Sequence, residues 1–308
     1  MANIACTTTR QALDAIADSN IPELSNHLDM TLPLDDSINS AEIHCVDGQQ
    51  HIIVRGTQIL KCLGTSTSIV EVLDTGAPTM HVSDTSRASL TYDVSADATS
   101  TLTIDGDATP TVTIRGASAI NIVIGGNAKP IISLLDPCAA QITVQDNAQP
   151  AISVYTTGAF SIANEGDSAA MIEVFTALAV GSITSADTAH PTMDLRGLSA
   201  ATVTAMGNST SKILTWNRCA SSITAQENAH PEVSTYDESK LTIVAKADSC
   251  IALDAHGNSE LQVGGNVQGK ADAAVVIYIL YLAIPPGQSP GPNPVIAAEG
   301  LKIDPQQT

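Results

Sequence analysis

A repeat of about ten residues constrains the fold of this chain more than any other feature of its sequence. Cut into tens from residue 107, the chain reads DATPTVTIRG, ASAINIVIGG, NAKPIISLLD, PCAAQITVQD and NAQPAISVYT. Positions 2, 4, 6 and 8 of each line hold small residues, aliphatic residues or Pro. A period of two is typical of a β-strand, because successive side chains point to opposite faces. Each line is therefore predicted to form one short strand.

Alternate lines differ from each other, so the structural unit is a pair of lines. Turn formers such as Gly, Asn and Asp fill positions 9, 10 and 1, and Pro recurs in every second line. A coil of about twenty residues with two strands accounts for both periods. Pro has no N–H to donate to a ladder, so these corner prolines are expected at the start of a strand. They are Pro110, Pro130, Pro150, Pro191 and Pro231.

A column of Asp and Asn begins the same lines and is expected to run along one corner. Left-handed backbone geometry and hydrogen bonds from side chain to backbone favour these residues in turns. About half of the members are neutral Asn, so a structural ladder explains the column better than a metal site. The ladder residues are Asp107, Asn127, Asn147, Asp167, Asn208, Asn228 and Asp248.

The flanks of the repeat predict caps. We expect residues 1–40 to form a short helix and an arm that docks or caps, and residues 41–270 to form a parallel β-solenoid of about eleven coils. At a strand spacing of about 4.8 Å the solenoid would be a rod about 50 Å long. Residues 271–308 are predicted to be an apolar strand and a Pro-rich tail. This strand either seals the core or pairs with a partner; its residues are Val275, Ile277, Tyr278, Ile279, Tyr281 and Leu282.

Charge excludes two classes of partner. The chain has 32 Asp and Glu against 13 Lys and Arg, a formal net charge of −19. Binding to nucleic acid or to an anionic membrane draws on clustered Lys and Arg, so neither partner is expected.

The six cysteines lack the C-x-x-C spacing of a zinc or redox site, and we predict no cofactor. Cys138, Cys219 and Cys250 are expected to be small, buried and reduced.

The repeat also argues against catalysis. The lines contain few insertions, so no cleft-forming loops are predicted, and aromatic residues make up only 3% of the chain. Asp194 and Arg196 form the best charged pair, which an exposed ion pair explains. His190 and His230 are expected about 10 Å apart, two coils from each other, which is too far to bind one metal. We therefore expect a protein that is not an enzyme.

Targeting signals are not evident in the sequence. The N-terminal segment has no apolar run behind a basic start, so no secretory signal is predicted. The longest apolar run, Ala273 to Ile284, is too short to span a bilayer as a helix. We expect a chain that is made in a cytoplasm and is not inserted in a membrane.

Lines such as NAKPIISLLD and NAQPAISVYT, alternating with PCAAQITVQD and RCASSITAQE, resemble the solenoid repeats of structural and fibre proteins of tailed bacteriophages. The resemblance covers about residues 107–267 of this chain. The lines also resemble repeats of some bacterial adhesins. It implies a virion component such as a tail fibre, head fibre or decoration protein, assembled in a host cytoplasm. Other virion proteins would then bind its termini, and a homo-oligomer and a host-surface receptor are further partners to consider.

Three alternatives stay open. One is a bacterial surface adhesin. Another is an acidic solenoid that mimics DNA and binds a topoisomerase, although such coils need a bulky residue every five positions. The third is an ice-binding solenoid, which needs a regular Thr-x-Thr array on one face. Thr101-Leu102-Thr103 and Thr111-Val112-Thr113 begin such an array, and it lapses at Asn121-Ile122-Val123.

Overall fold

The chain folds as an all-β parallel β-solenoid with turns of about twenty residues, which the ten-residue repeat predicts. The computed structural model describes residues 2–25, 28–32, 41–94, 99–135, 137–175, 180–272, 274–280 and 295–298. This part of the chain contains one α-helix and 29 β-strands. The chain divides into two compact units, residues 1–152 (unit 1) and residues 153–308 (unit 2). None of the helical residues described is in a segment long and apolar enough to cross a membrane.

Unit 1 begins with β1 (Asn3–Cys6), α1 (Thr9–Ala17), β2 (Ile21–Leu24) and β3 (Leu28–Leu32). The strands that follow are β4 (Glu42–Cys45), β5 (Gln50–Val54), β6 (Ile59–Cys62), β7 (Ile69–Asp74), β8 (Thr79–Val82), β9 (Ser89–Val94), β10 (Thr99–Ile104), β11 (Thr111–Gly116), β12 (Ala119–Ile124), β13 (Ile131–Leu134) and β14 (Ala139–Val144). They form two parallel sheets: an even sheet of β1 and the even-numbered strands, and an odd sheet of the odd-numbered strands from β3. The boundary between the units falls within β15 (Ala151–Val154).

Unit 2 repeats this alternation. Its strands are β16 (Ala159–Asn164), β17 (Met171–Val174), β18 (Val180–Ser185), β19 (Thr192–Leu195), β20 (Ala200–Ala205), β21 (Lys212–Thr215), β22 (Ala220–Ala225), β23 (Glu232–Thr235), β24 (Lys240–Ala245), β25 (Ile251–Ala255), β26 (Glu260–Gly264), β27 (Val267–Ala271), β28 (Val276–Leu280) and β29 (Val295–Ala298). Even-numbered strands from β16 pair in one parallel sheet and odd-numbered strands from β17 in the other.

Aliphatic columns fill the core between the two sheets of each unit. Ile122 pairs in register with Ile142 in unit 1, and Ile223 pairs with Ile243 in unit 2. All four side chains are buried. Because the side-chain period of a strand is two and the coil is twenty residues long, the same positions point inward in every coil. β-Branched residues suit these positions, since they pack well on a pleated surface.

One corner of each coil contains a residue with left-handed backbone geometry, one position before the ladder residues. In unit 2 it is Gly166, Asp187, Gly207 and Glu227, with φ of 64°, 55°, 66° and 59°. The carboxylate of each acidic residue accepts a hydrogen bond from the glycine N–H of the preceding coil: Gly166 to Asp187 at 3.3 Å and Gly207 to Glu227 at 2.9 Å. The residue with positive φ is therefore the one directly before each ladder residue, and not the ladder residue itself as the sequence predicts.

Unit 1 shows the same corner hydrogen bond. The N–H of Gly64 donates to Asp84 at 2.8 Å, and the N–H of Gly126 donates to Asp146 at 3.0 Å. Glycine is needed at the donor position, because a Cβ on Gly126 would lie 2.8 Å from the backbone nitrogen of Gly106. An acidic residue that follows a glycine at this corner thus ties one coil to the next, and the two types alternate from Gly126 to Glu227.

Helix α1 covers one edge of the odd sheet of unit 1. Thr8 caps the helix, and its side chain accepts the N–H of Gln11 at 3.3 Å. Ala12, Ala15 and Ile16 are buried, and the helix contacts β1 and β2 of the even sheet as well as β3. The hydroxyl of Thr9 donates to the carbonyl of Asp29 in β3 at 2.9 Å, which satisfies an acceptor at the sheet edge. Besides this helix, the segment before residue 41 contributes β1, β2 and β3 to the parallel sheets.

Candidate functional site

A groove of about 560 Å³ lies along the corner of unit 2 that follows the odd-sheet strands. A second groove of about 580 Å³ shares several of its residues and adds Lys240 and Glu260. Turn residues that recur once per coil line both grooves, and the two residues that the second groove adds begin β24 and β26. The first groove is lined by Gly197, Leu198, Asn217, Arg218, Asp237, Glu238, Gly257 and Asn258.

Charged side chains in these grooves pair with each other from coil to coil. Nε of Arg218 lies 2.8 Å from Oε2 of Glu238, and Nζ of Lys240 lies 2.8 Å from Oε2 of Glu260. The hydrogen bond to Glu260 raises the pKa of Lys240. Exposed pairs of this kind contribute little to the stability of a protein, because water and salt screen the charges. Their main effect here is to join neighbouring coils and to leave few charges unpaired in the groove.

Planar side chains stack at the position just before each groove turn. The rings of Trp216 and Tyr236 lie 4.1 Å apart at an interplanar angle of 12°, and those of Tyr236 and His256 lie 5.1 Å apart at 12°. Each such aromatic pair contributes about 0.5–1.5 kcal/mol beyond its buried area. Both faces of Tyr236 are covered by its neighbours. The stack is therefore a ladder that supports the corner rather than a platform for a sugar ring.

The same column begins with Tyr155 and Phe175, whose rings are stacked 4.9 Å apart at 7°. The guanidinium of Arg196 lies 5.2 Å from the Phe175 ring centroid, a cation–π contact. Asp194 holds this guanidinium through two hydrogen bonds of 3.0 and 2.5 Å and raises the pKa of Arg196. The ion pair between Asp194 and Arg196 thus holds the Arg196 guanidinium over the Phe175 ring.

The overall aromatic content, which is only 3%, does not predict this column. The spacing holds a usable signal. Tyr155 and Phe175 are twenty residues apart, as are Trp216 and Tyr236, and Arg196 and His256 continue the column with planar groups. A test for aromatic residues at the coil period would have found it.

Two histidines, one of them His256 of the stack, each contact two carboxylates and so join neighbouring coils. In unit 1, His51 lies between Asp29 and Glu71, with nitrogen–oxygen distances of 3.4 and 3.1 Å. In unit 2, His256 lies between Asp254 and Asp272, at 2.9 and 3.2 Å. Within the described ranges, no cluster of three or more His, Cys, Asp and Glu residues has the arrangement needed to hold a metal ion. These contacts are coil-to-coil bridges.

The predicted ladder residues all lie exposed on turns. Nδ2 of Asn127 donates to Asp107 at 3.1 Å, and Nδ2 of Asn228 donates to Asn208 at 3.5 Å. The hydroxyl of Thr188 donates to Asp167. Each corner proline is buried and directly precedes a strand, and the carbonyl of Pro110 accepts the N–H of Ile131 at 3.0 Å. His190 and His230 are exposed beside their prolines.

The predicted C-terminal strand continues the even sheet of unit 2. β28 pairs in parallel with β26, and Ile277 lies opposite Leu261. Val275 and Ile277 are buried, whereas Tyr278 and Ile279 are half-buried. Tyr281 and Leu282 lie outside the described residues.

Five of the six cysteines are buried, and Cys250 is partly exposed, which corrects the expectation that it is buried. All three directly precede a strand. The first residue of β25, Ile251, is buried, so Cys250 points outward, whereas β14 and β22 begin with an exposed residue, so Cys138 and Cys219 point inward. Cys45 and Cys62 are register partners in β4 and β6, and both are fully buried. A hydrogen bond with Cys62 and burial raise the pKa of Cys45 well above its ordinary value.

The outward face of the even sheet of unit 2 carries no charge over four successive strands, β16, β18, β20 and β22. We name it the neutral face. One column holds Ala and Val, a second Ser and Thr, and a third Ala and Thr; all twelve side chains are exposed or half-buried. The members are Ala159, Ser161, Ala163, Val180, Ser182, Thr184, Ala200, Thr202, Thr204, Ala220, Ser222 and Thr224.

The Thr-x-Thr pattern that lapses at Asn121 thus reappears in related form on the neutral face. Ser182 and Thr184, Thr202 and Thr204, and Ser222 and Thr224 occupy equivalent positions of successive strands. The odd sheet of the same unit is different, because each described strand from β17 to β27 carries a charged outward side chain: Glu173, Asp194, Lys212, Glu232, Asp254 and Lys270.

Comparison with known proteins found no matching family model, no matching curated protein and no matching solved structure. Indications of function therefore come from the geometry of the chain itself. That geometry offers coil-to-coil ladders at both corners and one uncharged sheet face in unit 2.

Proposed function

We propose that this chain is a non-enzymatic structural protein of a tailed-phage particle, where it serves as a fibre or decoration component. The observation that carries the proposal is how the polar side chains of the described corners are used. Arg218 pairs with Glu238, Lys240 pairs with Glu260, and Glu227 accepts a backbone N–H from the preceding coil. Side chains of the types that could act as acids, bases or ligands instead join one coil to the next.

A scaffold of this kind suits a particle component for two reasons. Parallel coils joined by short turns bury their own edges and present long, regular surfaces. The net charge of −19 keeps such surfaces apart in solution. The assignment to a phage particle rests on the resemblance of the repeat lines to phage solenoid repeats.

The test is to find the chain in particles. Particles would be purified on a density gradient from an induced culture of cells that carry the gene, and their proteins identified by mass spectrometry. We expect the chain to sediment with capsid and tail proteins and to be labelled on the particles by immunogold electron microscopy. Recovery only from particle-free fractions would contradict the proposal.

The alternatives give different results in the same cells. An adhesin would be recovered from the cell surface, and a DNA mimic would inhibit a topoisomerase in a supercoiling assay. Release of reducing ends from cell-surface polysaccharides by the purified chain would show that it is an enzyme and would overturn the non-enzymatic part of the proposal.

A further inference from the structure

Two cysteines of unit 1 lie side by side in the core on neighbouring strands of the even sheet. Cys45 in β4 and Cys62 in β6 are register partners, and neither side chain has any exposed surface. Both are free thiols. Register partners stand about 4.8 Å apart, and the Cα atoms of a disulfide are about 4.4–6.8 Å apart. The backbone therefore already holds this pair at a separation that a disulfide can bridge.

A hydroxyl group joins the two thiols. The side chain of Ser68 is hydrogen-bonded to both Cys45 and Cys62, and it donates to Oε1 of Gln50 at 2.9 Å. Ser68 and Gln50 are themselves fully buried. The two sulfur atoms and the Ser68 hydroxyl thus form a polar cluster inside the core, within contact of one another.

This cluster prepares Cys62 to react. Hydrogen bonds from Cys45 and from Ser68 lower the pKa of the Cys62 thiol, although burial opposes them. Cys45 is the donor in the bond between the two, and its own pKa is raised. The thiolate is the reacting form of a cysteine. Cys62 is therefore suited to attack an oxidant, and Cys45 to complete a bond between the two sulfurs.

A third cysteine of the same inward column is too far away to pair. Cys6 in β1 and Cys45 in β4 are both register partners of Leu24 in β2, which separates them. Their Cα atoms are therefore two strand spacings apart, about 9.6 Å, and a disulfide does not reach that far. Cys6 is as fully buried as Cys45 and Cys62, so it is a natural control for their pairing.

We infer that Cys45 and Cys62 form a reversible disulfide when the folded chain meets a small oxidant, so that β4 and β6 become covalently joined. Hydrogen peroxide is the class of oxidant that fits, because it is small and uncharged and the thiols are fully buried. Thiols stay reduced inside a cell and are oxidised outside it. The bond would therefore staple the first coils of unit 1 after the chain leaves the cell. This inference does not depend on the particle to which the chain belongs.

One molecule of peroxide is consumed for each bridge. The Cys62 thiolate attacks one peroxide oxygen and the O–O bond breaks, which leaves a sulfenic acid on Cys62. The hydroxide released takes up the proton that Cys62 gave up and becomes water. The Cys45 sulfur then attacks the Cys62 sulfur, the S–S bond forms, and the sulfenic oxygen leaves with the Cys45 proton as a second water. The two sulfurs lose two electrons, which the peroxide gains.

The test is oxidation of the folded chain with hydrogen peroxide, followed by unfolding, blocking of the remaining thiols and digestion with trypsin. Trypsin cuts after Arg55 and Lys61, between the two cysteines, so the bridge appears as a linked pair of peptides. We expect Cys45–Cys62 to be the main linkage and dithiothreitol to remove it. Oxidation should also raise the midpoint of thermal unfolding by about 5 °C, because the bridge restricts the unfolded state. Oxidised glutathione, which is too bulky to reach the core, should produce neither change.

Three serine substitutions locate the bridge. Cys45→Ser and Cys62→Ser should each abolish the linkage and the rise in the unfolding midpoint, whereas Cys6→Ser should keep both. These variants are compared in a Cys250→Ser background, because the partly exposed Cys250 can also join two chains. Circular dichroism would show that each variant keeps its β structure. The linked peptides of the unsubstituted chain test the inference even if a substitution reduces folding.

Two results would overturn the inference. One is recovery of Cys45 and Cys62 as free thiols from a folded chain whose Cys250 has been oxidised, since the peroxide would then have been effective. The other is a mixture of linkages in which Cys45 joins Cys6 as often as Cys62. Such a mixture is expected of a chain that is oxidised while unfolded, and it would mean that the register of β4 and β6 does not select the pair.

Discussion

The rings of Trp216 and Tyr236 lie face to face, 4.1 Å apart between centroids. They occupy equivalent positions in successive coils of unit 2, directly after β21 and β23. The most closely stacked aromatic pair described is thus a contact between two coils.

This stack should be measurable as a coupling energy. In a double-mutant cycle of Trp216→Ala and Tyr236→Ala, we expect about 1 kcal/mol of coupling in the free energy of unfolding, because each single change already removes the stack. Urea unfolding monitored by circular dichroism provides the measurement. Tyr236→Phe is the control, since it keeps the ring and should keep the coupling to Trp216. Strict additivity of the two alanine changes would contradict a stabilising stack.

The left-handed corner predicts opposite effects for two exchanges of Gly and Ala. Gly207→Ala should destabilise the chain by about 1–2 kcal/mol or more, because φ is +66° and a Cβ would lie 2.8 Å from the backbone nitrogen of Asp187. Ala247→Gly should stabilise it by about 0.5–1 kcal/mol, because Ala247 has a φ of +53°.

The measurement for this pair is the midpoint of urea unfolding. Ala229→Gly is the matched control: Ala229 is fully buried and is not among the positive-φ residues, so glycine there should destabilise. A loss of stability in Ala247→Gly equal to that in Ala229→Gly would show that the left-handed geometry at residue 247 costs little.

Glu42 predicts a pH-dependent contribution to the stability of unit 1. Hydrogen bonds from Lys61 and His44 lower the pKa of its carboxyl group. A lowered folded-state pKa stabilises the fold at pH values above the unfolded pKa, about 4.3, and this contribution is lost as the pH falls through the folded value. Glu42→Gln should therefore be less stable than the natural chain by roughly 1–2 kcal/mol at pH 7. The difference should shrink towards zero in acid.

Thermal unfolding from pH 7 to pH 3 would measure this convergence. Glu165→Gln, at an exposed turn residue, is the control and should follow the natural chain across the range. A constant deficit for Glu42→Gln at every pH would mean that packing, not the ionised carboxylate, is responsible.

The cysteines predict one fast thiol. Cys250 is partly exposed, whereas the other five are buried, and burial raises the pKa of Cys219. A thiolate is the reacting species, so Cys250 should be alkylated first in the native state. Mass spectrometry after brief iodoacetamide treatment should find one modified cysteine, and Cys250→Ser should remove it. Rapid labelling at Cys45 or Cys62 would show that β4 and β6 open readily.

Strand positions could be predicted from the sequence because burial imposes a period of two that is visible in any single line. Ile122 and Ile142 stand in equivalent positions of their lines and are register partners in the sheet. Composition predicts the left-handed corner one residue late, because Asn127 marks a turn but does not show which turn residue has positive φ. The signal lay in the alternation of Gly126 and Asp146, which appears only when two coils are compared.

The N-terminal strands and the planar column were harder to predict for a related reason. β1 and β2 are separated by a helix, so no uninterrupted ten-residue lines mark them. The stack from Tyr155 to His256 is made of different residue types whose shared property is planarity. Partner residues in both cases are about twenty positions apart in the chain, a distance that local sequence patterns do not show.

The alternation of glycine and acid from Gly126 to Glu227 limits how this part of the chain can change its length. Removing the one coil that carries Gly207 would bring the carboxylates of Asp187 and Glu227 to adjacent strands about 4.8 Å apart, where they repel and where no glycine N–H is offered to the second acid. Removing two coils would place a glycine and an acid side by side again. Between Gly126 and Glu227, insertions and deletions should therefore be accepted in steps of about forty residues, in evolution and in engineered shortened forms alike.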